Sequence, residues 1–90
     1  MINILGKKYK LNKVKEADTT GFLGGANSVK QIITIRTDLP KEQYEDTLLH
    51  EVIHIIDGEL KTELTEAQVC RLAVGLFSAG CRIKVNDEKS

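Results

Sequence analysis

The two histidines of the chain stand four residues apart, at His50 and His54, and Glu51 follows the first of them. Residues four apart on a helix lie on one face, with Cβ atoms about 5–6 Å apart, so two imidazoles can share one metal ion. The carboxylate of Glu51 would lie on the flank of that face, where it can hold a water molecule and accept its proton. The motif therefore predicts a zinc site with Glu51 as general base.

An amphipathic segment surrounds the two histidines. Its apolar residues recur at helical spacing and predict one buried stripe, which consists of Leu48, Val52, Ile55 and Ile56. The histidines fall off this stripe, on the side that also carries Asp46 and Asp57. Pro40 suits a first helical turn and Gly58 is typical of a helix end, so the motif helix is predicted over residues 38–58. This arrangement favours a cleft floor, and a purely structural histidine pair is the alternative.

A second helix is predicted over residues 64–80. Thr65 and Gln68 have the spacing of a capping box, and Leu64 and Val69 have that of a hydrophobic staple. Apolar residues at positions i, i+3, i+4, i+7 and i+8 predict its core face, which consists of Val69, Leu72, Ala73, Leu76 and Phe77.

Two histidines do not complete a catalytic zinc site, which takes three protein ligands and leaves one position for water. Without a third histidine, the remaining ligand is expected to be a carboxylate, and the candidates are Asp57, Glu59, Glu63 and Glu66. Glu66 lies about 40° from the centre of the second helix's apolar face, and Glu63 about 100° away. Helical phase therefore favours Glu66 and leaves Glu63 and Asp57 as alternatives. Asp57, one turn beyond His54, is better placed to orient a histidine ring nitrogen, or to act as a helix-end residue, than to bind the metal.

Residues 1–37 are predicted to be mainly β-structure. Apolar and polar residues alternate from position 2 to position 15, and Gly6 interrupts them, which predicts a hairpin. Glycine and small polar residues at 17–21 and 24–28 predict a loop. The β-branched segment 31–37 is the clearest strand. Residues 81–90 are expected to form a tail, whose part 81–86 either pairs as a short strand or trails off.

Length and composition indicate one small domain. The chain has 90 residues, of which 41% are hydrophobic, enough for one modest core. No apolar run approaches the roughly 18 residues of a membrane span, and residues 1–8 lack the order of a signal peptide, so we expect a cytoplasmic protein that does not enter the membrane. Cys70 and Cys81 are too few for a disulfide scaffold and are expected to be free thiols.

The charge is zero in total but unevenly distributed. Residues 38–69 contain nine acidic residues and two lysines, a field that favours a cation near the motif. A series of lysines follows the N-terminal hairpin and consists of Lys7, Lys8, Lys10, Lys13 and Lys15. No recognition helix or aromatic platform accompanies them, so we expect a solvated strand face and no nucleic-acid partner.

Residues 47–57 (TLLHEVIHIID) and 64–76 (LTEAQVCRLAVGL) resemble the small gluzincin metallopeptidase domains of phages and prophages, the minigluzincins, and more distantly the ImmA/IrrE peptidases. The resemblance covers the C-terminal half, and the strand at 31–37 also fits it. It implies that His50, His54 and Glu66 bind one Zn²⁺ ion and that Glu51 is general base and acid. It also implies a zincin-like α+β fold: a small twisted sheet of about three strands with an edge strand at the cleft, an active-site helix and a glutamate helix.

The function expected from these features is zinc-dependent hydrolysis of peptide bonds. A peptide or protein substrate is expected to align by strand addition along Ile32, Ile33, Thr34, Ile35 and Arg36. Larger peptidases of this type add a Tyr or His that stabilises the oxyanion, but Tyr44 lies about 120° from His50 around the helix. The alternative is therefore a catalytically silent or latent zinc-binding domain that acts through protein contacts, in which Cys70 or Cys81 is a candidate inhibitory thiolate.

Overall fold

The computed structural model describes residues 1–15 and 24–85. Within these ranges the chain forms a four-stranded mixed sheet and two helices, which confirms the α+β class that was predicted; the sheet has one strand more than expected. The elements are β1 (Ile2–Ile4), β2 (Lys7–Val14), β3 (Gly24–Asn27), β4 (Ile32–Arg36), α1 (Lys41–Leu60) and α2 (Glu66–Ser78). The loop predicted at 17–21 lies outside the described residues.

The sheet has the strand order β1-β2-β4-β3. β1 and β2 form the predicted antiparallel hairpin, in which Ile2 faces Tyr9. Leu5 and Gly6 connect them with φ angles of 51° and 83°, the positive values that a two-residue hairpin turn requires. β4 then pairs in parallel with β2 and in antiparallel fashion with β3. β4 is therefore an interior strand, and β3 lies at the end of the sheet.

The prediction of a loop at 24–28 was wrong, because residues 24–27 form β3. A Cβ atom at Gly24 would lie 2.9 Å from the Thr34 carbonyl oxygen and 3.1 Å from Cγ2 of Thr47 on α1. Glycine thus allows this strand to approach both the next strand and the helix closely. Gly24, which contributed to the loop prediction, reflects this close packing instead.

Helix α1 starts three residues later and ends two residues later than predicted. Asp38 lies before the helix, where its carboxylate accepts two hydrogen bonds of 2.9 Å from the Arg36 guanidinium. Gly58 was predicted to end the helix but lies inside it. The helix ends where Lys61 adopts a left-handed conformation with φ 54°, and its N–H donates to the Asp57 carbonyl. Lys61 therefore adopts the left-handed conformation that glycine usually has at the end of a helix.

Helix α2 begins with the predicted capping box. The Gln68 N–H donates to Thr65 Oγ1 at 3.1 Å, and the Thr65 N–H donates to Gln68 Oε1 at 2.8 Å. The predicted core face is confirmed for Val69 and Ala73, which are buried against α1, and for Phe77, which is partly buried and packs against the same cluster. Leu72 and Leu76 are 43% and 41% exposed, because a helix at the edge of the fold is covered along a narrower stripe than the sequence pattern suggests.

The core consists of two clusters that share α1. The first lies between the sheet and α1 and contains Ile2, Ile4, Tyr9, Ile33, Ile35, Leu48, Val52 and Ile55. The second lies between the helices and contains Leu49, Ile53, Val69 and Ala73. Ile83 packs against both, so residues 81–85 are anchored although they form no strand. Neither helix in the described part of the chain is long and apolar enough to span a membrane.

Candidate metal centre

The two core clusters determine which way the motif histidines face. Leu48 and Val52 bury one side of α1 against the sheet, and Leu49 and Ile53 bury another against α2. His50 and His54 lie on the remaining side and are only partly buried. Their ring centroids are 4.8 Å apart, and the two Nε2 atoms are 3.1 Å apart. The helix therefore presents two imidazole nitrogens to the same point, as their spacing predicts.

Glu66 completes this group from the second helix. Its Oε1 lies 2.9 Å from His50 Nε2 and 3.3 Å from His54 Nε2, and its Oε2 lies 2.9 Å from His54 Nε2. Glu66 is the first residue of α2, directly after the capping residue Thr65. The turn between the helices and the capping box therefore deliver the carboxylate to the histidines.

The three donor atoms lie close enough together to hold one metal ion. Zinc binds histidine nitrogen and carboxylate oxygen at about 2.0–2.2 Å, which places two tetrahedral ligands about 3.3–3.6 Å apart. The separations among His50 Nε2, His54 Nε2 and Glu66 Oε1 are 2.9, 3.1 and 3.3 Å, at or slightly below this range. The Glu66 side chain is 62% exposed, so the group is open on one side. His50, His54 and Glu66 can therefore hold an ion and leave a position for another ligand.

Glu51 lies beside this group and is half-buried. Burial raises the pKa of its carboxyl above the ordinary value, while the neighbouring His50 and His54 partly oppose this effect. A carboxylate with a raised pKa is a better proton acceptor near neutral pH than a fully solvated one. The structure thus places a half-buried carboxyl with a raised pKa beside the donor group.

A cleft of about 380 Å³ opens over the metal group. β3, α1 and α2 all contribute to its walls, which consist of Gly24, Asp46, Thr47, His50, Glu51, Glu66 and Cys70. A smaller cleft of about 100 Å³ adjoins His54 and is lined by Ala26 and Ser28 beside α1. The edge strand β3 therefore runs along both clefts. Asp46 lies in the candidate site on the histidine side of the helix, as its spacing predicts, whereas the sequence motifs did not indicate Gly24.

The predicted substrate-aligning strand needs correction. That strand is β4, with Ile32, Ile33, Thr34, Ile35 and Arg36. All five residues pair with β2, and four of them also pair with β3. Since both edges are hydrogen-bonded, a peptide cannot add to β4 as a further strand. Among the strands that the structure describes, β3 is the one that combines an edge position with the candidate cleft.

Asp57 has the second of its two predicted roles, that of a helix-end residue. Its Oδ1 accepts hydrogen bonds from the Leu64 N–H at 2.9 Å and from the Thr62 hydroxyl. The bonds from Leu64 and then Thr62 hold the pKa of Asp57 below its usual value, and His54 adds a smaller charge effect. Asp57 therefore braces the connection that leads to Glu66, and its hydrogen bonds do not orient a histidine ring.

The other candidate ligands lie elsewhere. Glu59 pairs with Lys7 at 3.1 Å, and Glu63 does not belong to the donor group that the structure describes. Both cysteines are free thiols, as predicted, and the structure shows that both are exposed. Cys70 Sγ lies 3.8 Å from Nδ1 of His50, the ring nitrogen that faces away from the donor group. Cys70 lies four residues after Glu66 and therefore on the same face of α2, so the sequence spacing could have indicated this contact.

Comparison of the chain with protein-family models, curated proteins and solved structures found no match. The chemistry of the centre is accordingly inferred from its own donor atoms, their spacing and the cleft above them.

Proposed function

We propose that this protein is a zinc-dependent peptidase in which His50, His54 and Glu66 hold one Zn²⁺ ion and Glu51 is the general base. The observation that carries the proposal is the convergence of three donor atoms from two helices, 2.9–3.3 Å apart, beside a half-buried carboxylate. Two histidines and one glutamate form a donor set that catalytic zinc sites use, with the fourth position open to water. The minigluzincin resemblance points to the same chemistry.

Glu51 performs the proton transfers of this reaction. A bound zinc ion would polarise the substrate carbonyl and lower the pKa of a water ligand to about 7. Glu51 takes the proton from the attacking water and later delivers it to the nitrogen of the leaving amine. Its half-buried position keeps it close to the cleft while limiting its solvation. His50, His54 and Glu66 serve as ligands and take no part in these transfers.

The substrate is an extended peptide or a protein segment, and β3 provides the surface that aligns it. The described residues include no strand that pairs with the outer edge of β3. An extended chain that adds to this edge would form main-chain hydrogen bonds. Because Gly24 lines the same cleft as Glu51 and Glu66, such a chain would pass over the metal group. We further propose that the reaction takes place in the cytoplasm, where Cys70 and Cys81 stay reduced.

The substitution Glu51→Gln tests this proposal, with Glu42→Gln on the same helix as the matched control. The two variants lose the same charge, but only Glu51 lines the cleft. With zinc present, E51Q should keep one ion per chain and lose about 10²–10⁴-fold in peptide cleavage, the usual contribution of a general base. E42Q should cleave like the wild type. Equal activity of E51Q and E42Q contradicts the role of Glu51.

A second function is favoured by one exposed side of α2. Leu72 and Leu76 lie four residues apart on that side and are 43% and 41% exposed, an apolar pair that suits contact with another protein. In this alternative the zinc site is catalytically silent and the domain acts through protein contacts. A wild-type protein that binds zinc stoichiometrically but cleaves no member of a broad peptide library would support this second function and contradict the peptidase.

A further inference from the structure

One helix contacts both nitrogens of the His50 ring. Glu66 lies 2.9 Å from Nε2, and Cys70 Sγ lies 3.8 Å from Nδ1. Glu66 and Cys70 are four residues apart on α2, so they share a helix face. The ring therefore lies between a carboxylate that would share its metal ion and a thiol on the opposite side.

Metal binding at Nε2 of His50 determines where the ring proton lies. A neutral imidazole carries one proton, and coordination through Nε2 places that proton on Nδ1, which then needs an acceptor. In metal centres this acceptor fixes the ring orientation and raises the basicity of the ligating nitrogen. Within residues 1–15 and 24–85, Cys70 Sγ is the hydrogen-bonding contact of His50 Nδ1. His54 has no corresponding contact at Nδ1 in the same part of the chain.

We propose that Cys70 is a positioning residue for the metal centre, which holds His50 through an Nδ1–H···Sγ hydrogen bond. The proposal rests on the zinc site of the proposed function but does not depend on peptidase activity. Cys70 lies on the Nδ1 side of the ring, away from the three donor atoms. It therefore orients a ligand, whereas the thiolate considered from the sequence would bind the metal itself.

The exposure of Cys70 distinguishes a positioning role from a role in core packing. Cys70 is exposed, so replacing it removes little buried surface, and the folded structure should tolerate the change. Cys81 provides a matched control because it is also a free, exposed thiol, located beyond the end of α2. The informative variants are Cys70→Ala, Cys70→Ser and Cys81→Ala, since serine keeps an acceptor that alanine lacks.

Zinc affinity, measured by competition with a chromophoric chelator, tests the role of Cys70. C70A should bind zinc about tenfold more weakly than the wild type, at the low end of the range for such supporting contacts because sulfur is a weak acceptor. C70S should stay within about threefold of the wild type, and C81A should be unchanged. The melting temperatures of the metal-free proteins should agree, so the effect appears only in metal binding.

The Nδ1 proton of His50 gives a second measurement. In the zinc-loaded wild type its NMR signal should exchange slowly with solvent, and in C70A it should exchange faster, while the His54 signal is unaffected. Equal zinc affinities for C70A and C81A overturn the proposal, as does a C70S variant that binds as weakly as C70A. Absence of zinc binding by the wild type overturns the metal centre and this proposal together, whereas failure to cleave peptides affects only the proposed reaction.

Discussion

Glu66 Oε1 lies 2.9 Å from His50 Nε2, although 16 residues separate the two positions in the chain. Two local features produce this approach. Asp57 accepts hydrogen bonds from Thr62 and Leu64 and so shapes the connection between the helices. Thr65 then caps α2 and makes Glu66 its first residue. The third donor of the centre is thus positioned by the way the second helix begins.

Glu66→Gln should remove tight zinc binding. The amide keeps the size of the side chain but is a much poorer zinc ligand than a carboxylate, so only the two histidines remain as good donors. Glu63→Gln is the control, because it makes the same change in charge three residues earlier, outside the donor group that the structure describes. Metal analysis after dialysis should find about one zinc per chain in E63Q and a substoichiometric amount in E66Q. Stoichiometric zinc in E66Q would show that another residue is the third ligand.

Thr65→Ala should lower both stability and zinc affinity. The substitution removes the acceptor of the Gln68 N–H and breaks the capping box, which costs about 1 kcal/mol of unfolding free energy. The first turn of α2 should then fray, and Glu66 lies in that turn. Ser78→Ala is the control, since the Ser78 hydroxyl donates to the Gly75 carbonyl at the opposite end of α2. Denaturation and zinc titration of both variants should find lower zinc affinity only in T65A.

The grouping of His50, His54 and Glu66 was predictable from the sequence because its determinants are local. His50 and His54 share a face by helical spacing alone, and Thr65 with Gln68 marks the start of α2 and hence the place of Glu66. Each of these features depends on residues within four positions of one another. The structure brings the three side chains together as this local geometry requires.

The features that the sequence did not reveal depend on contacts between distant segments. Gly24 belongs to a strand because its missing Cβ admits Thr34 and Thr47, and neither neighbour can be identified from composition. β4 is interior because β3 pairs beside it, whereas its apolar sequence is equally compatible with an edge. Asp57 binds Leu64, seven residues away, so its helical phase alone suggested a different partner.

Asp57 should make stability depend on acid pH. Its folded-state pKa is lower than its ordinary value, chiefly because of the hydrogen bonds from Leu64 and Thr62. The unfolded chain therefore binds the proton more readily, so the stabilisation is present above the unfolded pKa of about 3.9 and disappears as pH falls through the folded pKa. In metal-free protein, the difference in unfolding free energy between wild type and Asp57→Asn should be constant from about pH 5 to 7 and shrink below about pH 4.

Thr62→Ala provides the control for this pH dependence. It removes one donor to Asp57 and leaves the Leu64 N–H in place, so the acid-dependent part of the stability should become smaller without vanishing. Urea denaturation at several pH values measures it. Parallel curves for the wild type and the Asp57→Asn variant down to pH 2.5 would contradict the assignment of these hydrogen bonds to the ionised carboxylate.

Gly24→Ala should destabilise the protein and impair substrate alignment without weakening zinc binding. The added methyl group would lie 2.9 Å from the Thr34 carbonyl oxygen and 3.1 Å from Thr47 Cγ2, so β3 must move away from α1, at a cost of about 1–3 kcal/mol. Gly75→Ala is the control: a Cβ there meets nothing within 4 Å, and the change should stabilise α2 by about 0.5–1 kcal/mol.

The two readouts of Gly24→Ala separate the roles of the sheet and the helices. All three proposed ligands lie on α1 and α2, so G24A should bind zinc like the wild type. If β3 aligns the peptide, kcat/KM should fall in G24A while Gly75→Ala cleaves normally. Peptide cleavage and zinc affinity are measured on the same folded preparations, well below the temperature at which G24A unfolds. Unchanged kcat/KM in G24A would mean that the substrate does not align along β3, and a loss of zinc affinity would mean that β3 also supports the metal centre.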